Sequence, residues 1–131
     1  SNQSNNNNNN NKQRKKNSWA RMRQNPSSDL FAEMRRLSKL RHPCITTVMG
    51  AVVSRSSEPM LIMEYMELGS LHGLLRNRSV SIDEGQIASI LQDVASGVRF
   101  LHATKPRVIH GDLKSQNILV DSRLRAKVAD F

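Results

Sequence analysis

Between Ser81 and Pro106 the chain places Ile87, Ile90, Leu91, Val94, Val98 and Leu101 at offsets of 0, 3, 4, 7, 11 and 14. That spacing predicts one long amphipathic helix, whose apolar stripe has to be buried against other parts of the chain. Ser81 and Glu84 fit an S-x-x-E capping box at its start, and Pro106 closes it. A second helical pattern lies in "SSDLFAEMRRLSKLRHP", where Leu30, Met34, Leu37 and Leu40 recur with helical spacing and Phe31 broadens the stripe. Ser28 or Asp29 can cap that helix, and Pro43 ends it. Between the two helices, "CITTVMGAVVS" reads as a strand, "RSSEP" as a turn and "MLIMEYM" as a second strand. "LGSLHGLLRN" suggests a short helix after Gly69. After Pro106, "RVIH", "NILVD" and "RAKVAD" are short strand-like pieces. Helices mixed with short strands, and no internal repeat, make this an α+β chain.

The 131 residues bound it at one domain or less. With only five aromatics in a 37% apolar composition, the core has to be aliphatic. The single cysteine, Cys44, excludes an intrachain disulfide and fits a reducing compartment. The longest uncharged apolar stretch, Ile45 to Val53, is too short to span a bilayer, and the polar N-terminus resembles no secretory signal. The expectation is a soluble intracellular, cytoplasmic chain with no membrane partner. Net charge is +9, and residues 1–28 hold six of the 20 basic residues and no acidic one. Residues 1–27, with their asparagine run from Asn5 to Asn11, have nothing apolar to bury and are expected to be a disordered Asn-rich basic tail. Its "KQRKK" cluster could contact nucleic acid or act as a nuclear-import signal. A solvated linker is the simpler reading, since Trp19 alone offers a stacking surface there.

The chemistry-bearing residues gather near the end. In "HGDLKSQNILVD", Asp112, Lys114 and Asn117 stand directly before an apolar strand, and Asp130 follows another. Polar groups beside a buried strand either hydrogen-bond within a turn or meet a ligand, because an unpaired one costs about 1–3 kcal/mol. Two carboxylates and an amide oxygen are hard ligands suited to Mg²⁺ and phosphate rather than to zinc. Spacing alone leaves both the capped turn and the magnesium–phosphate site open. His42 and His72 show no metal-ligand spacing and are assigned nothing.

Four segments together carry a resemblance. "HGDLKSQN" resembles the catalytic loop H-x-D-L-x-x-x-N of protein kinases, and "ADF" resembles the start of D-F-G. "FAEMRRLSKLRHP" is similar to the family's αC helix and its exit. "LIMEYMELGSL" is similar to the fifth strand, the hinge and the start of the next helix. The order and spacing match over residues 28–131, in the style of the tyrosine-kinase-like group of serine/threonine kinases. The resemblance implies a partial kinase domain over 28–131: αC and two strands of the N-lobe, the hinge, and αD, αE and the catalytic-loop hairpins of the C-lobe. It implies ATP and Mg²⁺ as cofactors and a protein substrate bearing a Ser/Thr hydroxyl. By that resemblance Asp112 would accept the hydroxyl proton and Lys114 would steady the transferring phosphate. Asn117 and Asp130 would hold Mg²⁺. Glu33 would pair the ATP-holding lysine, and Met63 would be the gatekeeper. Glu64 and Met66 would present backbone groups to adenine, and Leu119 would pack beneath it. Leu37, Val48, His110 and Phe131 would form the apolar spine.

Three departures shape the expectation. Gly111 stands where most of the family has arginine, which argues against one mode of activation-loop regulation. No G-x-G-x-x-G or V-A-x-K precedes Glu33, and Lys15 and Lys16 lie in a context unlike a strand. The sequence ends at Phe131, before the substrate platform. The chain by itself is therefore expected to be catalytically incompetent, with the long helix exposing part of its stripe and offering a self-association face. The competing readings are a non-catalytic pseudokinase-like module or gene fragment, and a basic nucleic-acid-binding tail on a degenerate domain.

Overall fold

The computed structural model describes residues 26–54, 56 and 60–131, without the side chains of residues 26–30 and 33. The expected tail falls almost wholly outside the described residues, as does most of the turn read in "RSSEP". The chain forms two compact units. The smaller contains helix α1 (Pro26–Ser38) and the antiparallel hairpin of β1 (Val48–Val52) and β2 (Met60–Met63). Helix α1 begins at Pro26, so Ser28 and Asp29 lie inside its first turn rather than capping it. Proline suits that place, because its fixed φ is helical and its missing N–H has no intrahelical partner to lose. The helix stops at Ser38, whose hydroxyl donates to the Arg35 carbonyl at 3.1 Å. The register of the hairpin shifts between Val48 and Gly50. Met49, Val52, Met60 and Ile62 are exposed along it.

The larger unit contains residues 40–47 and 64–131. Its elements are α2 (Leu71–Arg76), α3 (Glu84–Ala103), a single 3-10 turn (Ser115–Asn117), and the antiparallel strands β3 (Ile118–Val120) and β4 (Ala126–Val128). "RVIH" forms no strand. The strand expected from Cys44 begins only at Val48, since residues 44–46 instead run beside β4. Ile45 makes a parallel bridge to Val128, and Val128 N–H donates to the Cys44 carbonyl at 2.8 Å.

Helix α3 has the predicted length but a different cap. Asp83, not Ser81, is the N-cap: its carboxylate accepts from Gln86 N–H at 2.8 Å, and Gln86 Oε1 accepts from Asp83 N–H at 2.9 Å. Two boxes overlap in "SIDEGQ", and the one used carries the acidic group that favours a helix N-terminus. The buried line of α3 is Ile90, Asp93, Gly97 and Leu101. It runs along one edge of the apolar stripe and leaves Leu91 58% exposed.

Gly97 is what lets α3 close on the 44–46 segment. A methyl group there would lie 2.6 Å from the Cys44 carbonyl oxygen and 3.1 Å from Val128 Cγ2. Alanine adds about 1 kcal/mol of helix propensity over glycine, whereas a clash with fixed backbone costs about 1–3 kcal/mol. Gly97→Ala should therefore lower the unfolding free energy in urea, by up to about 2 kcal/mol. Gly73→Ala in α2 meets only Ser70 Oγ at 3.4 Å and should leave stability unchanged or higher. A stabilised Gly97→Ala would show that α3 does not approach the segment this closely.

Candidate functional site

Every residue from 126 to 129 is engaged by a different segment, and this holds the site. Ala126 N–H donates to Asp93 Oδ2 at 3.0 Å. Lys127 Nζ donates to both carboxylate oxygens of Glu64, at 2.8 and 2.7 Å. Val128 pairs with residues 44–46, and Ala129 N–H donates to the Asn117 carbonyl at 2.9 Å. The ladder of β3 with β4 thus continues to Asn117 and Ala129, which brings Asn117 and Asp130 to the same end of one hairpin. Asp130 itself sits at a φ of 54°. A non-glycine residue held in that left-handed region is strained and persists where its surroundings impose it, commonly at functional sites.

His110 ties the segment that carries Asp112 to the same strand. The Asp112 N–H donates to His110 Nδ1 at 3.2 Å, so Nδ1 is unprotonated and Nε2 carries the hydrogen. Nε2 lies 2.7 Å from the Ala129 carbonyl and donates to it. The buried imidazole therefore bridges the residue before Asp130 to Asp112. Its ring also lies 6.4 Å from that of Phe131, tilted by 59°. Between His110 and Asp112, Gly111 has a φ of 73°, a conformation in which a side chain would be strained. Asn117 closes the loop, its Nδ2 donating to the Asp112 carbonyl at 2.8 Å. Lys114 Nζ lies 3.1 Å from Asp112 Oδ2, with both side chains more than a third exposed.

The structure thus assembles four of the predicted residues: Asp112, Lys114, Asn117 and Asp130. Because the Asn117 amide nitrogen is committed to Asp112, its oxygen is directed away from that bond, as a metal ligand needs. An amide oxygen and a carboxylate fit Mg²⁺, which keeps several waters and phosphate oxygens among its six ligands and needs few protein donors. Among the described residues no group of three or more His, Cys, Asp and Glu is arranged around one metal position.

The segment after β2 reaches the hairpin. Leu68 N–H donates to the Val120 carbonyl at 3.0 Å, and Val120 N–H to the Gly69 carbonyl at 2.9 Å. Ser70 bridges Leu119, which places that predicted residue beside α2. Met66 is buried and its carbonyl accepts from Gly69 N–H at 3.0 Å. Burial opposes ionisation of Glu64, but the Lys127 and Thr47 hydrogen bonds outweigh it and hold its carboxyl below the usual range. Met63 is 38% exposed at the end of β2, in the smaller unit. Glu33 lies in α1, and its side chain is outside the description.

Sequence reasoning missed Asp93, Lys127 and Asp121. Asp93 interrupts the apolar run of α3 at a buried register position, a signal that was present. Burial raises its carboxyl, but bonds from Arg125 Nε and Nη2 at 2.9 and 2.7 Å, from Ala126 N–H and from Cys44 Sγ prevail and lower it. Asp121 Oδ1 accepts from the N–H groups of Arg123 and Arg125, shaping the β3–β4 turn.

Over residues 3–131 the chain matches the family profile described as protein tyrosine and serine/threonine kinase. It is 42% identical over 104 residues to the probable serine/threonine-protein kinase drkC of Dictyostelium discoideum, covering 79% of this chain and 14% of that protein. It is 38% identical over 106 residues to the serine/threonine-protein kinase CTR1 of Arabidopsis thaliana, covering 79% of this chain and 13% of that protein. The chain thus spans about a seventh of the length of these relatives.

Both depressed carboxyls, Glu64 and Asp93, contribute stability that is present above the ordinary carboxylate pKa and lost as pH falls through their lowered folded values. The urea midpoint should therefore drop below about pH 4. In Asp93→Asn the midpoint at neutral pH should be lower, because Arg125 and Ala126 lose a charged acceptor, and its fall with acid should be shallower. An acid limb as steep as the parent's would remove Asp93 from the account.

Proposed function

Because the chain belongs to the protein tyrosine and serine/threonine kinase family, we propose that it carries the metal-binding and proton-accepting part of a serine/threonine protein kinase site. In this reading the domain transfers the γ-phosphoryl group of ATP to a serine or threonine hydroxyl of a protein. The observation that carries it is the network that joins Asp112 and Asn117 to Ala129, the residue before Asp130: Asn117 bonds Asp112 through its side chain and Ala129 through its backbone. Asp112 orients the attacking hydroxyl and accepts its proton. Lys114 leaves its contact with Asp112 to meet the transferring phosphate, a shift its exposure permits. Asn117 Oδ1 and the Asp130 carboxylate hold Mg²⁺, which when bound neutralises charge on the β- and γ-phosphates. Glu64 and Met66 face adenine through their backbones, and Leu119 packs beneath it. A lysine two residues after the catalytic aspartate, together with relatives described as serine/threonine kinases, supports hydroxyls of Ser and Thr over Tyr. The buried free thiol of Cys44 supports an intracellular setting.

Mg·ATP at about 100 times its Kd should raise the unfolding free energy of the chain by about 2.7 kcal/mol. Asp130→Ala should lose most of that gain, measured against its own unfolding free energy without nucleotide. Differential scanning fluorimetry with a urea titration reads both. A parent that ignores Mg·ATP, or an Asp130→Ala variant that gains as much as the parent, sinks the proposal.

A further inference from the structure

A hydrogen-bonded antiparallel pair exchanges two backbone bonds, each residue donating its N–H to the other's carbonyl. Thr47 and Glu64 exchange only one. The Glu64 N–H donates to the Thr47 carbonyl at 3.1 Å. The Thr47 N–H donates instead to the Glu64 side chain, to Oε1 at 2.8 Å. The carboxylate has displaced its own backbone carbonyl as the acceptor. Lys127 holds it there with bonds to both oxygens, at 2.8 and 2.7 Å. The two side chains are only 19% and 25% exposed, so their attraction is screened less than that of a surface pair. Among the described residues no donor reaches the Glu64 carbonyl, and the Met66 N–H has no acceptor. An open carbonyl and an open N–H two residues apart offer an acceptor and a donor to the edge of a planar heterocycle.

We propose that Lys127 is a positioning residue. By fixing the Glu64 carboxylate on the Thr47 N–H, it keeps the Glu64 backbone carbonyl unpaired for the exocyclic amino group of a 6-aminopurine nucleotide. This deepens the nucleotide reading above and rests on it. Lys127 stands on β4 three residues before Asp130, so one strand sets both the base-recognition edge and the metal-ligand end. Without the ammonium, the carboxylate turns to water. The Thr47 N–H then pairs with the Glu64 carbonyl as an ordinary ladder would, and the purine loses its acceptor.

The test has two arms. The first is NMR on the full chain, reading scalar couplings across hydrogen bonds. In the parent, Thr47 ¹⁵N should couple to the side-chain carboxyl ¹³C of Glu64 and not to its backbone ¹³C. In Lys127→Met the backbone coupling should replace it, and Lys127→Arg should keep the parental pattern. The second arm compares Mg·ATP with Mg·ITP, whose 6-oxo group cannot donate, by isothermal titration. The parent should prefer ATP, and Lys127→Met should reduce that preference about 3- to 10-fold, the worth of one hydrogen bond. A merely destabilising substitution would weaken both nucleotides equally. A Thr47–Glu64 backbone coupling in the parent overturns the proposal, even if no variant folds. So does an unchanged ATP-to-ITP ratio in a Lys127→Met variant whose coupling has switched. Couplings as expected in a parent that binds neither nucleotide overturn the nucleotide reading and with it the purine half of the proposal, while the freed carbonyl stands.

Discussion

A carboxylate withdrawn from water organises the larger unit. Asp93 projects from the middle of α3 and is 7% exposed. Burying an unpaired charge that deeply would be prohibitive, so its partners have to arrive together. They come from two other parts of the chain: the thiol of Cys44 before β1, and the guanidinium of Arg125 with the N–H of Ala126 at the start of β4. The packing around it is equally close, because Gly97, one turn along α3, lets the Cys44 carbonyl approach the helix. Helix, loop and hairpin are thereby held in one arrangement.

The proposed chemistry depends on that arrangement through β4. The strand has only three residues, too few to hold its own geometry. It is held residue by residue from outside, by Asp93 at Ala126, Glu64 at Lys127, residues 44–46 at Val128, and Asn117 and His110 at Ala129. Asp130 follows with its left-handed backbone, and Asp112 is reached from Ala129 through one imidazole. The groups proposed for proton acceptance and metal binding sit on segments anchored to one short strand. That is the kind of rigid support phosphoryl transfer requires, since its catalysis is mostly positioning and charge stabilisation.

Much of this was legible in the sequence. The long helix followed from its stripe, because burial of one helical face leaves a period that survives any tertiary context. The kinase likeness followed from "HGDLKSQN" and "ADF" in register with the hinge-like segment, and the family match bears it out. Finer features were not legible, for identifiable reasons. Ser81 and Asp83 both head a capping box, and only the helix geometry chooses between them. Gly111 was read as a change of regulation, whereas its φ of 73° also gives it a backbone role. The carboxylate of Glu64 looked incidental to its backbone, because Lys127, its partner, is 63 residues away in the chain.

The sequence by itself determined the class of fold, the family, and which residue types could perform the chemistry, because periodicity and motif spacing are local properties of the chain. Which of those residues share a site, which carboxylates stay charged in a poorly hydrated interior, and which backbone groups remain open were decided only by the tertiary structure. Each of those outcomes depends on partners far apart in sequence. Pairing Asp93 with Arg125, Glu64 with Lys127, and His110 with Ala129 required the chain to fold back on itself, and no local pattern encodes those distances.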